Sequence, residues 1–154
     1  MRFQPYTKAF VDHIRAGGAD AYGNPAERAL SDGQGKPCRC CLANIPQDTP
    51  MLILAARPFP DTQPYAETGP IFLCAHACKP FEQDGVPPIL KTSPDYLMKA
   101  YTADHRIAYG TGQITKAADI ESYATALFER GDLAYIDVRS ARNNCFLTRI
   151  PRDG

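Results

Sequence analysis

The cysteines of this chain are unevenly spaced, and their spacing is typical of a metal site. Three of the six lie within four positions, at Cys38, Cys40 and Cys41, and two more follow at Cys74 and Cys78. Zinc takes four thiolate or imidazole ligands at the corners of a tetrahedron, and a Cys-x-x-Cys turn supplies two of them from one tight loop. The pattern therefore predicts a zinc site that clamps two loops together.

The predicted ligands are Cys38, Cys41, Cys74 and Cys78. A bend after a strand that ends near Cys74 would bring the second pair of thiols to the same ion as the first. His76 and Cys40 are possible substitutes, because an imidazole or a further thiolate also binds zinc. We expect Cys40 to point away, since adjacent thiols cannot all reach one ion from a tight turn.

Other roles for the cysteines stay open. Free cysteine is often buried as a small apolar residue, and Cys74 follows the apolar run 71–73. A redox role is also open, because Arg39 and Lys36 are placed to lower a thiol pKa. The Cys-x-x-Cys pair does not, however, stand between a clear strand and a helix, as a thioredoxin-like motif requires.

Three charged residues are candidates for binding or catalysis outside the cysteine cluster. Arg139 and Arg142 flank a predicted turn, and guanidinium groups match phosphate and carboxylate groups, so both are anion-binding candidates. Glu67 lies in a proline-flanked loop and is, with Arg139, a candidate catalytic residue. The alternatives are surface arginines paired with acidic residues and a solvated carboxylate.

Composition narrows the class of partner. The 154 residues carry 17 basic and 17 acidic side chains, a formal net charge of zero, so general attraction to nucleic acid or to an anionic membrane is not expected. The first 20 residues lack the apolar core of a signal peptide, and no run approaches a membrane span. We expect a cytoplasmic protein whose thiols stay reduced, with a small anionic ligand as the candidate partner.

Hydrophobic periodicity and turn residues predict the elements that position these side chains. The predicted helices run from a Thr7 cap to Gly17 and from an Asp119 cap to Gly131. The predicted strands are 51–57, 71–75, 96–101, 106–110, 133–141 and 145–150. We expect 96–101 and 106–110 to form a hairpin, 133–141 and 145–150 to be adjacent antiparallel strands in one sheet with 51–57, and the segment "GTGQITK" to be a turn.

These elements predict a single α+β domain over residues 1–154, with a mainly antiparallel sheet, about two helices and long proline-rich loops. Residues 1–34 would form the N-terminal helix and a connector. Residues 35–152 would form the core.

Three blocks of the sequence resemble a known family. The segments "CRCCLANIP", "RPFPDTQPYAETGPIFLCAHAC" and "AYIDVRSARNNCFLTRIPR" are similar to the bacterial family catalogued as domain of unknown function 1203. Its Cys-Arg-x-Cys block matches Cys38, Arg39 and Cys41, and its Gly-Pro-Ile-Phe block matches residues 69–72. Cys74 stands where the family has a histidine, an exchange that keeps a zinc ligand but not a general base. The resemblance implies no established activity.

Three classes of function therefore stay open: a zinc-binding protein with a binding or structural role, a small enzyme acting on a polar or anionic molecule, and a thiol redox or sensing protein.

Overall fold

The computed structural model describes residues 1–153 as two helices and seven strands. The helices are α1 (Lys8–Arg15) and α2 (Ile120–Phe128). The strands are β1 (Glu27–Leu30), β2 (Pro50–Ala56), β3 (Gly69–Cys74), β4 (Asp95–Tyr101), β5 (Gln113–Lys116), β6 (Tyr135–Ser140) and β7 (Phe146–Pro151). Short 3₁₀ turns cover Pro88–Lys91 and Ala117–Asp119. The predicted α+β class is confirmed.

The first sheet has the strand order β1-β2-β3, with all pairs antiparallel. Its apolar side chains form one core with two residues of α1, Val11 and Ile14. Cys38, Cys40 and Cys74 are buried in that same core. The cysteine cluster is thus part of the packing of α1 on the first sheet.

The second sheet has the strand order β5-β4-β6-β7, again antiparallel throughout. Alternate residues of β4 and β6, such as Met98 and Val138, pack with Ile120 and Ala124 of α2 to form a separate core. The opposite face of β6 carries Asp137 and Arg139, because successive strand residues point to opposite faces.

The helix predictions are confirmed, with one difference at a cap. Thr7 caps α1 by accepting a hydrogen bond from the backbone N–H of Phe10 at 3.3 Å. Asp119 makes no such bond, because the 3₁₀ turn Ala117–Asp119 runs directly into α2.

The prediction that 51–57 shares a sheet with the two C-terminal strands is wrong. β6 and β7 are adjacent and antiparallel as expected, but β2 pairs with β1 and β3 in the other sheet. The physical reason is that β4 and β7 occupy both edges of β6, and the N-terminal segment covers the outer edge of β7 through Gln4 N–H donating to Arg149 O at 2.8 Å.

The hairpin prediction is confirmed at its turn but not along its length. The chain reverses after β4, with an antiparallel bridge between Tyr101 and Ile107 and with Ala108 N–H donating to Ala100 O at 2.9 Å, but residues 106–110 form no strand. β4 instead pairs with β5, which lies in the segment that we expected to be a turn. β5 is only four residues long, and its one buried residue is the polar Thr115 whereas Ile114 is exposed, so no apolar alternation marks it in the sequence.

Among the described residues, no helix has the length and apolar character needed to cross a lipid bilayer.

Candidate metal centre

Four cysteine sulfurs converge at the end of the first sheet. The Sγ atoms of Cys38, Cys41, Cys74 and Cys78 all lie within 4.8 Å of one another. The Cys38 and Cys78 sulfurs are 3.8 Å apart. Four sulfurs around a zinc ion at about 2.3 Å would be separated by about 3.8 Å, so a small contraction of the cluster would give tetrahedral coordination.

A tight turn presents the first two thiols. Leu42 N–H donates to Cys38 O, and Cys38 N–H donates to Ala43 O, each at 3.0 Å. Leu42 takes a positive φ of 51°, which closes the turn. The backbone N–H of Cys40 lies 3.4 Å from the Cys38 sulfur. Backbone amides directed at a sulfur stabilise its thiolate form, because they place partial positive charge beside it.

A bend after β3 presents the other two thiols. Cys74 is the last residue of β3, and Cys78 N–H donates to His76 O at 2.9 Å to reverse the chain. The backbone N–H of Cys74 also lies 3.3 Å from the Cys38 sulfur. The two loops are joined by backbone bonding as well, since Arg39 N–H donates to Phe72 O at 3.0 Å.

Arg15, in the last turn of α1, connects the helix to the cluster. Its Nη2 donates to the Cys78 sulfur and its Nε donates to Cys74 O, both at 3.1 Å. Partial burial opposes the charge of Arg15, but the bond to Cys78 and the neighbouring thiols outweigh burial, and its pKa is raised. A guanidinium in this position offsets the negative charge of a thiolate cluster.

Hydrogen bonds among the thiols shift their pKa values in opposite directions. Cys38 accepts from Cys41 and Cys74, and this lowers the pKa of Cys38. The bond to Cys38 raises the pKa of Cys41 to about 12 and also raises the pKa of Cys74. Because a metal cation favours deprotonated ligands, metal binding at this cluster would displace these shared protons.

The two substitute ligands lie outside the group of four. Cys40 is buried, its sulfur lies 3.8 Å from Cys78 O, and burial raises its pKa to about 12. His76 is exposed at the bend. Cys145 lies in the turn between β6 and β7, outside the group of four, and is half-buried, with its sulfur 3.7 Å from Asn143 O. All six cysteines are free thiols.

The charged candidates occupy a different region, and the structure does not bring the two arginines together. Arg139 is 4 % exposed, and its Nη1 pairs with Glu67 at 2.9 Å. Glu67 also pairs with Lys99 at 3.2 Å. Arg142 is largely exposed and pairs with Asp95 at 2.9 Å. The two guanidinium groups line different cavities.

Arg139 and Glu67 line a cavity of about 310 Å³ beside the turn that precedes β7. Within the described residues, Nε and Nη2 of Arg139 have no hydrogen-bond partner. Arg139 therefore pairs with Glu67 through Nη1, while the edge of the guanidinium that carries Nε and Nη2 has no partner among the described residues.

Sequence reasoning missed three charged residues that the fold buries or directs at the cluster. They are Arg15, Asp137 and Arg149. Asp137 is fully buried and forms a bidentate pair with Arg149, at 2.6 and 3.0 Å. A charge surrounded by apolar neighbours on a strand is the available signal for such a pair, but it does not identify the partner.

The fold and the four thiols together define a small α+β protein with a candidate tetrathiolate metal centre. The chain belongs to the family described as Protein of unknown function (DUF1203), whose family model matches residues 35–152 and so includes all four clustered cysteines. This is the family that the sequence motifs resemble. Comparison with curated proteins and with solved structures gave no match.

Proposed function

We propose that this protein binds one zinc ion through Cys38, Cys41, Cys74 and Cys78, and that the ion has a structural or binding role. The observation that carries the proposal is the convergence of the four sulfurs within 4.8 Å. Chance packing of small apolar residues would not also direct two backbone N–H groups and an arginine at the sulfurs. Those donors suit thiolates better than neutral thiols.

Four thiolates select among metals by softness and geometry. Magnesium and calcium prefer oxygen ligands, whereas tetrahedral sulfur sites bind zinc or iron. Four thiolates around a divalent ion carry a net charge of −2, and Arg15 supplies one compensating positive charge. We favour zinc over iron because four cysteine thiolates in a tetrahedron are a usual structural zinc site, and zinc has no redox chemistry of its own.

The number of protein ligands supports a structural role over catalysis. Catalytic zinc keeps one position for water or substrate, whereas four protein ligands close the coordination sphere. The ion would join the loop at 38–41 to the end of β3, and Arg15 would add α1 to the same unit. A reducing cytoplasm suits this centre, because free ligand thiols stay unoxidised there.

The direct test is elemental analysis of protein purified without added metal and kept reduced. We expect about one equivalent of zinc. Cys41→Ser should lose most of it, because serine does not replace a thiolate ligand, and Cys145→Ser should retain it as the matched control. Metal-free wild-type protein whose thiols oxidise readily would overturn the proposal in favour of a redox role, and full zinc content in Cys41→Ser would overturn the ligand set.

A further inference from the structure

A second cavity lies next to the metal centre, between the two sheets. It has a volume of about 340 Å³. Part of its lining comes from Arg39 and Phe72, near the cysteines, and part from Ser140 at the end of β6 and from Arg142 and Cys145 in the turn between β6 and β7. Among residues 1–153, no aspartate or glutamate lines it, although Arg142 pairs at 2.9 Å with Asp95, which lies outside the lining. A cavity with arginines and no acid favours a negatively charged occupant.

Arg39 is a buried cation, and the described part of the chain provides no carboxylate to pair with it. It is 2 % exposed and, among residues 1–153, forms no ion pair with a carboxylate. Its Nε donates to Phe146 O at 2.8 Å and its Nη1 to Pro37 O at 2.6 Å. Neither bond brings a formal negative charge. Buried charges in proteins are normally paired, because an unpaired buried ion is costly.

The thiol cluster does not supply a hydrogen-bond partner for the buried guanidinium of Arg39. Arg15 donates directly to a ligand sulfur, whereas both side-chain bonds of Arg39 run to backbone carbonyls. The surroundings of Arg39 therefore leave its positive charge poorly compensated.

The remaining walls supply hydrogen-bond donors and an apolar surface. Ser140 Oγ accepts from Asn143 N–H at 3.2 Å, so its own O–H is left to donate. The Ser93 hydroxyl also lines the cavity. The Arg39 guanidinium lies 5.8 Å from the centre of the Phe72 ring, so an apolar or aromatic group can pack beside the charge.

We propose that this cavity binds a small organic anion, whose phosphate or carboxylate group is recognised by Arg39 with Arg142 and whose apolar body contacts Phe72. Oxyanions of both kinds fit a guanidinium through paired N–H···O bonds. The site depends on the geometry of the cavity and not on which metal fills the four-thiol cluster. It replaces the expected Arg139–Arg142 pair with an Arg39–Arg142 pair.

The test is an NMR titration of the protein as purified, observing the Arg39 Nε–H and the amides of Phe72 and Cys145. The probes are inorganic phosphate, phenyl phosphate and benzoate, each up to about 10 mM, a range that detects weak binding. We expect saturable shifts at these three residues, with phenyl phosphate or benzoate binding more tightly than inorganic phosphate. If phenyl phosphate binds more tightly than benzoate, the site prefers a phosphate group; if benzoate binds more tightly, it prefers a carboxylate. Absence of saturable shifts with all three probes would overturn the proposal.

Variants then assign the site. Arg39→Lys should weaken binding about tenfold or more, because lysine cannot form the paired bonds. Arg152→Lys is the matched control, since Arg152 also donates to carbonyls, including Phe128 O at 2.8 Å, but does not line the cavity. If Arg39→Lys fails to fold, the double variant Ser93→Ala/Arg142→Gln, at half-buried and exposed positions, serves instead and should weaken binding several-fold. Unchanged affinity in a folded variant would place the ligand elsewhere and overturn the assignment.

Discussion

Arg15 and Arg39 show how the same residue type takes different roles according to its partners. Arg15 contacts a sulfur of the cluster, and its charge complements the thiolates that a metal requires. Arg39 stands between two cysteines in the sequence, yet its guanidinium donates to Phe146 O and Pro37 O and not to a sulfur. Sequence proximity to a ligand therefore does not decide which cation supports the metal centre.

At this scale we predict that Arg15→Gln speeds zinc loss. The variant removes one charge-assisted hydrogen bond to Cys78, and because Arg15 is partly exposed we expect the lower end of the usual range, about 1 kcal/mol or roughly fivefold in affinity. Transfer of zinc to a chromogenic chelator measures the effect. Lys8→Gln is the control, since it removes a charge from the same helix at an exposed position that pairs with Asp12. Equal transfer from Arg15→Gln and wild type would show that the Arg15 contact contributes nothing.

At the scale of elements, the local sequence pattern predicts that β6 is a strand but not which residues pack against its polar face. The segment 133–141 is predicted as a strand, and β6 lies within it, but the sequence pattern does not show that five of the six residues of β6 are buried. The polar face is covered because Asp137 meets Arg149 on the neighbouring strand and Arg139 meets Glu67 on a distant loop. Those partners lie 12 and 72 residues away, and strand alternation carries no information about them.

The same limit explains which parts of the fold and the site could be predicted. The run 51–57 identifies a strand, but the choice of sheet depends on which edges other segments have already filled. The four clustered cysteines could be predicted because their spacing, within two short segments, reflects a local requirement of the ion. Arg15 could not, because its contact with Cys78 spans 63 residues and arises from the packing of α1.

The buried pair in β6 and β7 gives a prediction at the element scale. Asp137→Ala leaves Arg149 charged and without its partner, so we expect a loss of about 3–5 kcal/mol in the free energy of unfolding. Chemical denaturation measures it. The matched control is Asp132→Ala, which breaks the exposed pair with Arg130 and should change the free energy of unfolding far less, because water and salt screen that pair. Adding Arg149→Met to Asp137→Ala should recover part of the stability, and a double variant no better than the single would argue against an unpaired charge as the cause.

At the scale of the whole molecule, the described residues form two large apolar cores and a small third cluster of Phe59, Tyr101 and Tyr135. The first core contains α1, β2, β3 and three of the cysteines, whereas the second contains α2 and the large sheet. The metal centre lies wholly in the first, and the Arg39 cavity lies between them. An ion at the thiols would therefore stabilise one half of the molecule directly and the other half only through the contacts between the two.

Removing the metal should thus loosen the molecule unevenly. With zinc chelated at neutral pH, we expect amide hydrogen exchange to rise in residues 38–42 and in β2 and β3, because local opening follows the contacts that are lost. β4 and β6 should keep their protection.

Acid should weaken zinc binding and so act in the same direction as the chelator. The pKa values of Cys41 and Cys74 are raised when their protons are shared with Cys38, so protons compete increasingly with the metal as the pH falls, and zinc affinity should decrease. Measuring bound zinc against pH checks the effect of acid. Measuring hydrogen exchange before and after chelation checks the uneven loss of protection. The control is Cys41→Ser, whose exchange pattern should already resemble that of the chelated wild type and should change little on further chelation. Equal loss of protection in both sheets would show that the two halves unfold as one unit, and unchanged exchange throughout would show that the metal makes no contribution to the fold.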